Sequence, residues 1–243
     1  MGIIIHEQDL EAPAELQAVN FKTGGLYRFI NQRRNTPVTE LILHETVTSS
    51  AKATLAVLQQ RNLGVHLIVG EDGTVYQHGD LKDDLFWHAS EHNPKSVGIE
   101  VVNPYYPDLI PKNSGWTTVI DAPWAHKGKY TVPTVTQAET VCELTRWLTS
   151  PDAVGLDIPR KWVGLADHKM LMTKGPVSAL GGGIYAHHYF GHADGCWLAL
   201  YTWLRIEAQL DSATAYYTAV QLATGAKGSV DLSPYYEADP YLA

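Results

Sequence analysis

Cysteine is scarce in this chain. Cys142 and Cys196 are the only two among 243 residues, which rules out a disulfide framework and suits a reducing compartment. Cys142 falls within a helical pattern, where a thiol serves as a small core side chain. Cationic runs are missing as well. Eighteen Lys and Arg stand against 26 Asp and Glu, for a formal net charge of −8, so phosphate neutralisation gives no basis for binding nucleic acid. No apolar stretch approaches the roughly 18 residues that span a bilayer, and no membrane insertion is expected. Met1 to Asp9 lacks a basic n-region, a sustained apolar core and a small-residue cleavage site, so cytoplasmic synthesis without a signal peptide is the expectation.

Histidine, by contrast, is plentiful, with eleven in the chain. A single histidine on an apolar strand, such as His66 or His168, is ordinarily a core residue. Gly183 to Cys196 is different, because it gathers His187, His188, His192, Asp194 and Cys196 after a short apolar run. These are the donors that bind zinc-like cations, and burying so many of them unpaired is costly. The segment reads as a strand leading its imidazoles into a loop that holds the Asp and Cys, which is only part of a coordination shell. The missing ligand is expected from His44, at the end of the apolar strand Glu40 to Glu45.

A hydrophobic content of 45% supports one well-buried domain. Residues 1–35 read as a lead-in segment, 36–212 as the main domain and 213–243 as a C-terminal tail that is extended or poorly ordered from Gly225. Ser49-Ser50 caps a helix over 51–61. Gly64 to Val69 and Gly73 to Gln77 form a hairpin around Asp72-Gly73. Ser96 to Asn103 is a buried strand with one embedded carboxylate, Glu100, which must be paired, protonated or present for chemistry. The loop from Pro104 to Pro133, with Tyr105, Tyr106, Trp116 and Trp124, is long enough to wall a cleft. Thr136 to Glu139 has the form of a capping box that opens a helix running to about Ser150, and Leu198 to Leu210 forms another helix.

In this order, His44, the Gly64 to Val69 hairpin, Trp87-His88-Ala89, Val97-Gly98-Ile99-Glu100 and the final His-rich strand with Asp194-Gly195 resemble zinc-dependent N-acetylmuramoyl-L-alanine amidases. This group includes phage lysozyme-type amidases, AmpD-like amidases and peptidoglycan recognition proteins. The resemblance covers residues 36 to 205. It implies an α/β domain with a central mixed β-sheet flanked by helices. It also implies Zn2+ as cofactor and peptidoglycan, both glycan and stem peptide, as partner, with no nucleic acid and a monomeric state.

Residue by residue, the resemblance makes His44 and His187 metal ligands, with His187 favoured over His188. The third ligand is Asp194, favoured over Cys196. The usual Pro-Gly after that ligand is replaced here, and His192-Ala193-Asp194-Gly195 is closer to the phage-type ending. Glu100 is implied as general base and His192 as the group facing the developing oxyanion. The catalytic Tyr of some phage members falls on Val65, so the implied mechanism is Glu-assisted. Trp87 and His88 are implied to line the substrate groove, although core packing explains a lone Trp equally well.

The expected reaction is hydrolysis of the amide between N-acetylmuramic acid and L-alanine. The expected setting is a phage endolysin that reaches the wall once released, with a bacterial cell-wall recycling amidase as the alternative. A non-catalytic peptidoglycan-binding module on the same fold would typically lack a zinc ligand, whereas all three positions here carry usable side chains. A zinc nuclease is disfavoured by the acidic charge.

Overall fold

Runs of β-branched and aliphatic residues at 40–45, 96–101 and 183–186 are buried on both faces, the pattern of central parallel strands. A computed structural model describes residues 2–29, 32–150, 156–175 and 181–236 of the chain. Its main sheet contains β1 (Ala18–Val19), β2 (Glu40–Glu45), β3 (Leu67–Val69), β4 (Val75–Gln77), β5 (Ser96–Val101) and β6 (Gly183–Ala186). Their spatial order is β6-β2-β5-β3-β4-β1. β6, β2, β5 and β3 run parallel, β4 returns antiparallel to β3, and β1 lies parallel to β4. The sheet is therefore mixed, as expected.

Alternation along the strands divides the core between two faces. Leu67 and Val69 point into the large cluster that includes Val141, Leu144, Trp197 and Leu200. These side chains belong to α2 (Val135–Leu148) and α3 (Cys196–Ile206). Ile68 points the opposite way, into a smaller cluster with Val65, Val102 and Trp116, covered by Leu55 and Leu58 of α1 (Ala51–Gln60). His44, Glu100 and Ile68 are register partners across β2, β5 and β3 and so share the α1 face. The four parallel strands end together at that level, where α/β sheets place their ligand crevices.

Several local expectations hold and others shift. Ser50 caps α1 by accepting from the Ala53 N–H. Asp72-Gly73 turns the hairpin, with Gly73 at φ +83°. The capping box opening α2 belongs to Thr134 and Gln137 rather than Thr136 and Glu139. Thr134 Oγ1 accepts from the Gln137 N–H (3.2 Å), and Gln137 Oε1 accepts from the Thr134 N–H (3.1 Å). A glutamine serves better than a glutamate here because its Nε2 also donates to the carbonyls of Gly70 and Val102. Glu139 instead takes Arg205 Nε at 2.7 Å, tying α2 to α3.

The lead-in and tail segments are built into the fold. Gly2–Ile5 pairs with Gln8–Glu11, Ile3 to Ile5 are buried, and Ile4 exchanges two hydrogen bonds with the Gln77 side chain. Within 213–243, α4 (Ser212–Ala223) buries Ala215, Ala219 and Ala223 against α2 and α3. Ser229–Asp231 then pairs with Lys169–Leu171. The part of the expected tail at 237–243 lies outside the described residues. In the long loop, Val119–Asp121 pairs with Lys129–Thr131, and Trp116 and Trp124 are buried core residues rather than cleft walls. Among the described residues no helix is long and apolar enough to cross a membrane.

Candidate metal centre

His44 is the penultimate residue of β2, and its buried ring lies 4.1 Å from that of His187, centroid to centroid. His187 opens the turn that follows β6, so two neighbouring parallel strands deliver the two imidazoles side by side. Asp194 closes the loop ahead of α3, with its carboxylate oxygens 3.1 and 3.2 Å from His187 Nδ1. One donor atom from each of the three lies within 4.8 Å of the others.

The loop reaches this position because residue 195 is glycine. Gly195 adopts φ +83°, and a Cβ there would fall 2.1 Å from the Leu43 carbonyl oxygen. The backbone N–H of Glu45 donates to Asp194 Oδ2 at 3.0 Å, which fixes the carboxylate from the side of β2. Two imidazoles and a carboxylate in this arrangement fit a borderline divalent cation such as zinc, with coordination positions to spare.

His188 and Cys196 are placed elsewhere. His188 is buried, its Nδ1 without a partner among the described residues and its ring 6.5 Å from Trp124, and it does not line the cavity. Cys196 is the first residue of α3 rather than part of the metal loop, and burial pushes its thiol well above the ordinary value, reinforced by the charges of Asp194 and Glu45. Its sulfur belongs neither to the donor group nor to the cavity wall.

The cluster opens into a cavity of about 510 Å³. Glu100 lines it, opposite His44 in the β2–β5 register. Burial, then the charges of Asp194 and Glu45, raise its carboxyl well above the usual range. Among the described residues Glu100 makes no salt bridge that would explain it structurally. His192 stacks on His187 at 4.3 Å with planes 6° apart, and burial and His187 lower its pKa.

Trp87 is on the cavity wall and 44% exposed, free to meet a ligand. His88 also lines the cavity, but it reaches behind the cluster as well: its Nδ1 lies 3.0 Å from His44 Nε2, and its Nε2 lies 3.2 Å from Ser96 Oγ. Such a partner fixes the tautomer and orientation of a ligand imidazole. Gly98 makes the room, since a Cβ there would stand 2.7 Å from His88 Nδ1. Val65 is fully buried in the core and takes no part in the cavity wall.

Arg61 and Glu45 escaped the sequence reading, whereas Tyr105 lies on the loop expected to wall a cleft. Tyr105 and Arg61 line the cavity from the long loop and from the end of α1. Glu45 is buried beside the ligands, and burial raises its carboxyl to about 7 against the hydrogen bonds of Tyr130, Asn103 and Gly195. Its signal was available, because a carboxylate closes the same apolar strand that carries His44. A second acidic group, Glu7, Asp80 and Asp83, is already engaged: Glu7 pairs with Lys22, Arg28 and Arg33, and Asp80 accepts from the backbone N–H groups of His6 and Glu7.

A family model for N-acetylmuramoyl-L-alanine amidase matches residues 34–193, more than half of the chain and ending one residue before Asp194. No curated protein matches. Among solved structures, the endolysin amidase LysCS from Clostridium intestinale URNW is similar at 14% identity and a TM-score of 0.43, over 73% of this chain and 82% of that one. Peptidoglycan recognition protein SA from Drosophila is similar at 14% identity and a TM-score of 0.41, over 59% and 78%. The amidase AmiD from E. coli, solved with anhydro-N-acetylmuramic acid-L-Ala-D-gamma-Glu-L-Lys, is similar at 18% identity and a TM-score of 0.34, over 51% and 50%.

Proposed function

Because this chain belongs to the N-acetylmuramoyl-L-alanine amidase family, we propose that it is a zinc-dependent peptidoglycan hydrolase that cuts the amide between N-acetylmuramic acid and the L-alanine of the stem peptide. The observation that carries this reading is the convergence of His44, His187 and Asp194 with an unpaired Glu100 at one cavity. His44, His187 and Asp194 would hold the ion. When bound, zinc supplies Lewis acidity that acidifies water and polarises an amide carbonyl.

The protein supplies the proton chemistry. Glu100 accepts a proton from the attacking water and passes it to the leaving amine, so the carboxylate ends the cycle as it began. A raised pKa makes Glu100 a stronger base once ionised. His192, on the open side of His187, donates a hydrogen bond to the carbonyl oxygen as it gains negative charge. Trp87 offers an exposed aromatic face to the substrate, and His88 both faces the cavity and orients His44.

A peptidoglycan-binding module without catalysis would not need a complete donor set beside an unpaired carboxylate. The setting we favour is a phage endolysin that is made in the cytoplasm, acts on the wall once released and works as a monomer. A bacterial recycling amidase would use the same site.

Mass spectrometry of purified sacculi treated with the protein tests the reading. The expected products are free stem peptides beginning at L-alanine and intact glycan strands, lost after chelation and restored by zinc. Intact peptidoglycan that nevertheless retains the protein would establish the binding module instead.

A further inference from the structure

Glu45 makes four hydrogen bonds, and together they lock the third metal-ligand segment onto the sheet. Its backbone N–H donates to Asp194 Oδ2 (3.0 Å), and its side-chain Oε2 accepts from the Gly195 N–H (2.7 Å). The Asp194-Gly195 dipeptide is thus held by one residue in both directions. Oε1, in turn, accepts from Asn103 Nδ2 (2.7 Å) and from the Tyr130 hydroxyl (2.5 Å). Asn103 Nδ2 also donates to the Thr131 carbonyl, and the Asn103 carbonyl accepts from the Tyr105 N–H. All of these groups except Tyr105 are buried.

We infer that Glu45 is a positioning residue for the metal site, a clip that sets Asp194 against His44 and His187 and anchors that setting to the loop carrying Tyr105. This rests on the zinc reading above. Donors meet both carboxylate oxygens: the Gly195 backbone N–H on Oε2 and Asn103 Nδ2 on Oε1. A glutamine at 45 must turn its own NH2 toward one of them. Either the Gly195 N–H then loses its acceptor, or Asn103 Nδ2 keeps only the Thr131 carbonyl and faces another NH2, and either outcome is costly for buried groups. Glutamate offers an oxygen acceptor at both ends, and glutamine offers one.

The test is zinc affinity, measured by competition with a chromophoric chelator on the folded wild type, Glu45→Gln and Tyr130→Phe. The visible absorption of the cobalt-substituted proteins is recorded alongside as a report on ligand geometry. Glu45→Gln is expected to weaken zinc about 10- to 100-fold, the range for removing the partner of a metal ligand, and to alter the cobalt spectrum. Tyr130→Phe, which deletes one donor to Oε1 and touches no ligand, is expected to weaken zinc in the same direction by a smaller factor.

A purely structural Glu45 would lower the urea midpoint and leave the zinc affinity and cobalt spectrum of the folded protein at wild-type values, which would overturn the inference. If Glu45→Gln does not fold, Tyr130→Phe decides alone, and unchanged zinc affinity in that variant overturns it equally. A wild type that binds no zinc would remove the metal reading itself, and this inference with it.

Discussion

Glu100 separates catalysis from architecture on a single side chain. Replacing it by glutamine keeps its shape but removes proton acceptance, so the rate of stem-peptide release should fall by about two to four orders of magnitude while zinc binding persists. Stability should move the other way. Glu100 is raised by burial and by Asp194 and Glu45, so between the unfolded value of about 4.3 and its folded value the native state keeps a proton that the unfolded chain has lost. The metal-free wild type therefore loses the Glu100 contribution to stability as pH rises through that window, a loss that Glu100→Gln is spared. Urea midpoints of the two metal-free proteins should differ little near pH 4 and favour the variant increasingly toward pH 8. A variant less stable at pH 8 would mean that Glu100 has a partner holding it in place, and a near wild-type rate would remove it from the reaction. For the ligands, His187→Ala and Asp194→Ala should strip zinc, whereas His188→Ala and Cys196→Ala should leave one ion per chain by elemental analysis. Side chains whose chemistry stands out against an apolar strand were legible without coordinates, as His44 and Glu100 show. Glu45 stands out on the same strand, but its role does not, because its hydrogen-bond partners, Asn103, Tyr130 and Gly195, are distant in sequence and meet only in the folded chain.

Elements were legible where a local rule and the tertiary contacts agree. The Asp72-Gly73 hairpin and the Ser50 cap need only their own neighbours, and both form. The cap of α2 shifted by two residues because Thr134 and Thr136 each begin an apolar helical pattern, and the choice is made by Gln137, whose amide reaches two carbonyls of the sheet. Thr134→Ala should accordingly cost about 1 kcal/mol in chemical denaturation. Thr136→Ala, at an exposed position inside the helix, should stay within about 0.5 kcal/mol; the opposite ranking would return the cap to Thr136. Helix α4 was hidden for a different reason. Its buried face is Ala215, Thr218, Ala219 and Ala223, small side chains that give a weak hydrophobic pattern. Thr and Tyr fill much of the rest, and neither favours helix on its own. The strand Ser229–Asp231 is fixed by its pairing with Lys169–Leu171 and by the burial of Val230, which short-range pattern cannot reveal.

Across the whole molecule, the donor set joins parts of the chain that are far apart in sequence. His44 comes from β2, while His187 and Asp194 come from the turn and loop between β6 and α3. The unfolded chain cannot hold these donors together, so zinc bound to the native state must raise its stability by mass action. At a free concentration one hundred times the dissociation constant, the gain is about 2.7 kcal/mol. For a chain of this size each kcal/mol moves the melting temperature by roughly 2–4 °C, so zinc added to chelator-treated protein should raise it by roughly 5–11 °C. The rise should be reversed by excess chelator and absent in Asp194→Ala, whereas His188→Ala should retain it. This readout involves no substrate, and it distinguishes a metal built into the fold from one recruited only during turnover. A wild type whose melting temperature ignores zinc would leave the His44, His187 and Asp194 cluster without a metal to hold, whatever activity the protein shows on cell walls.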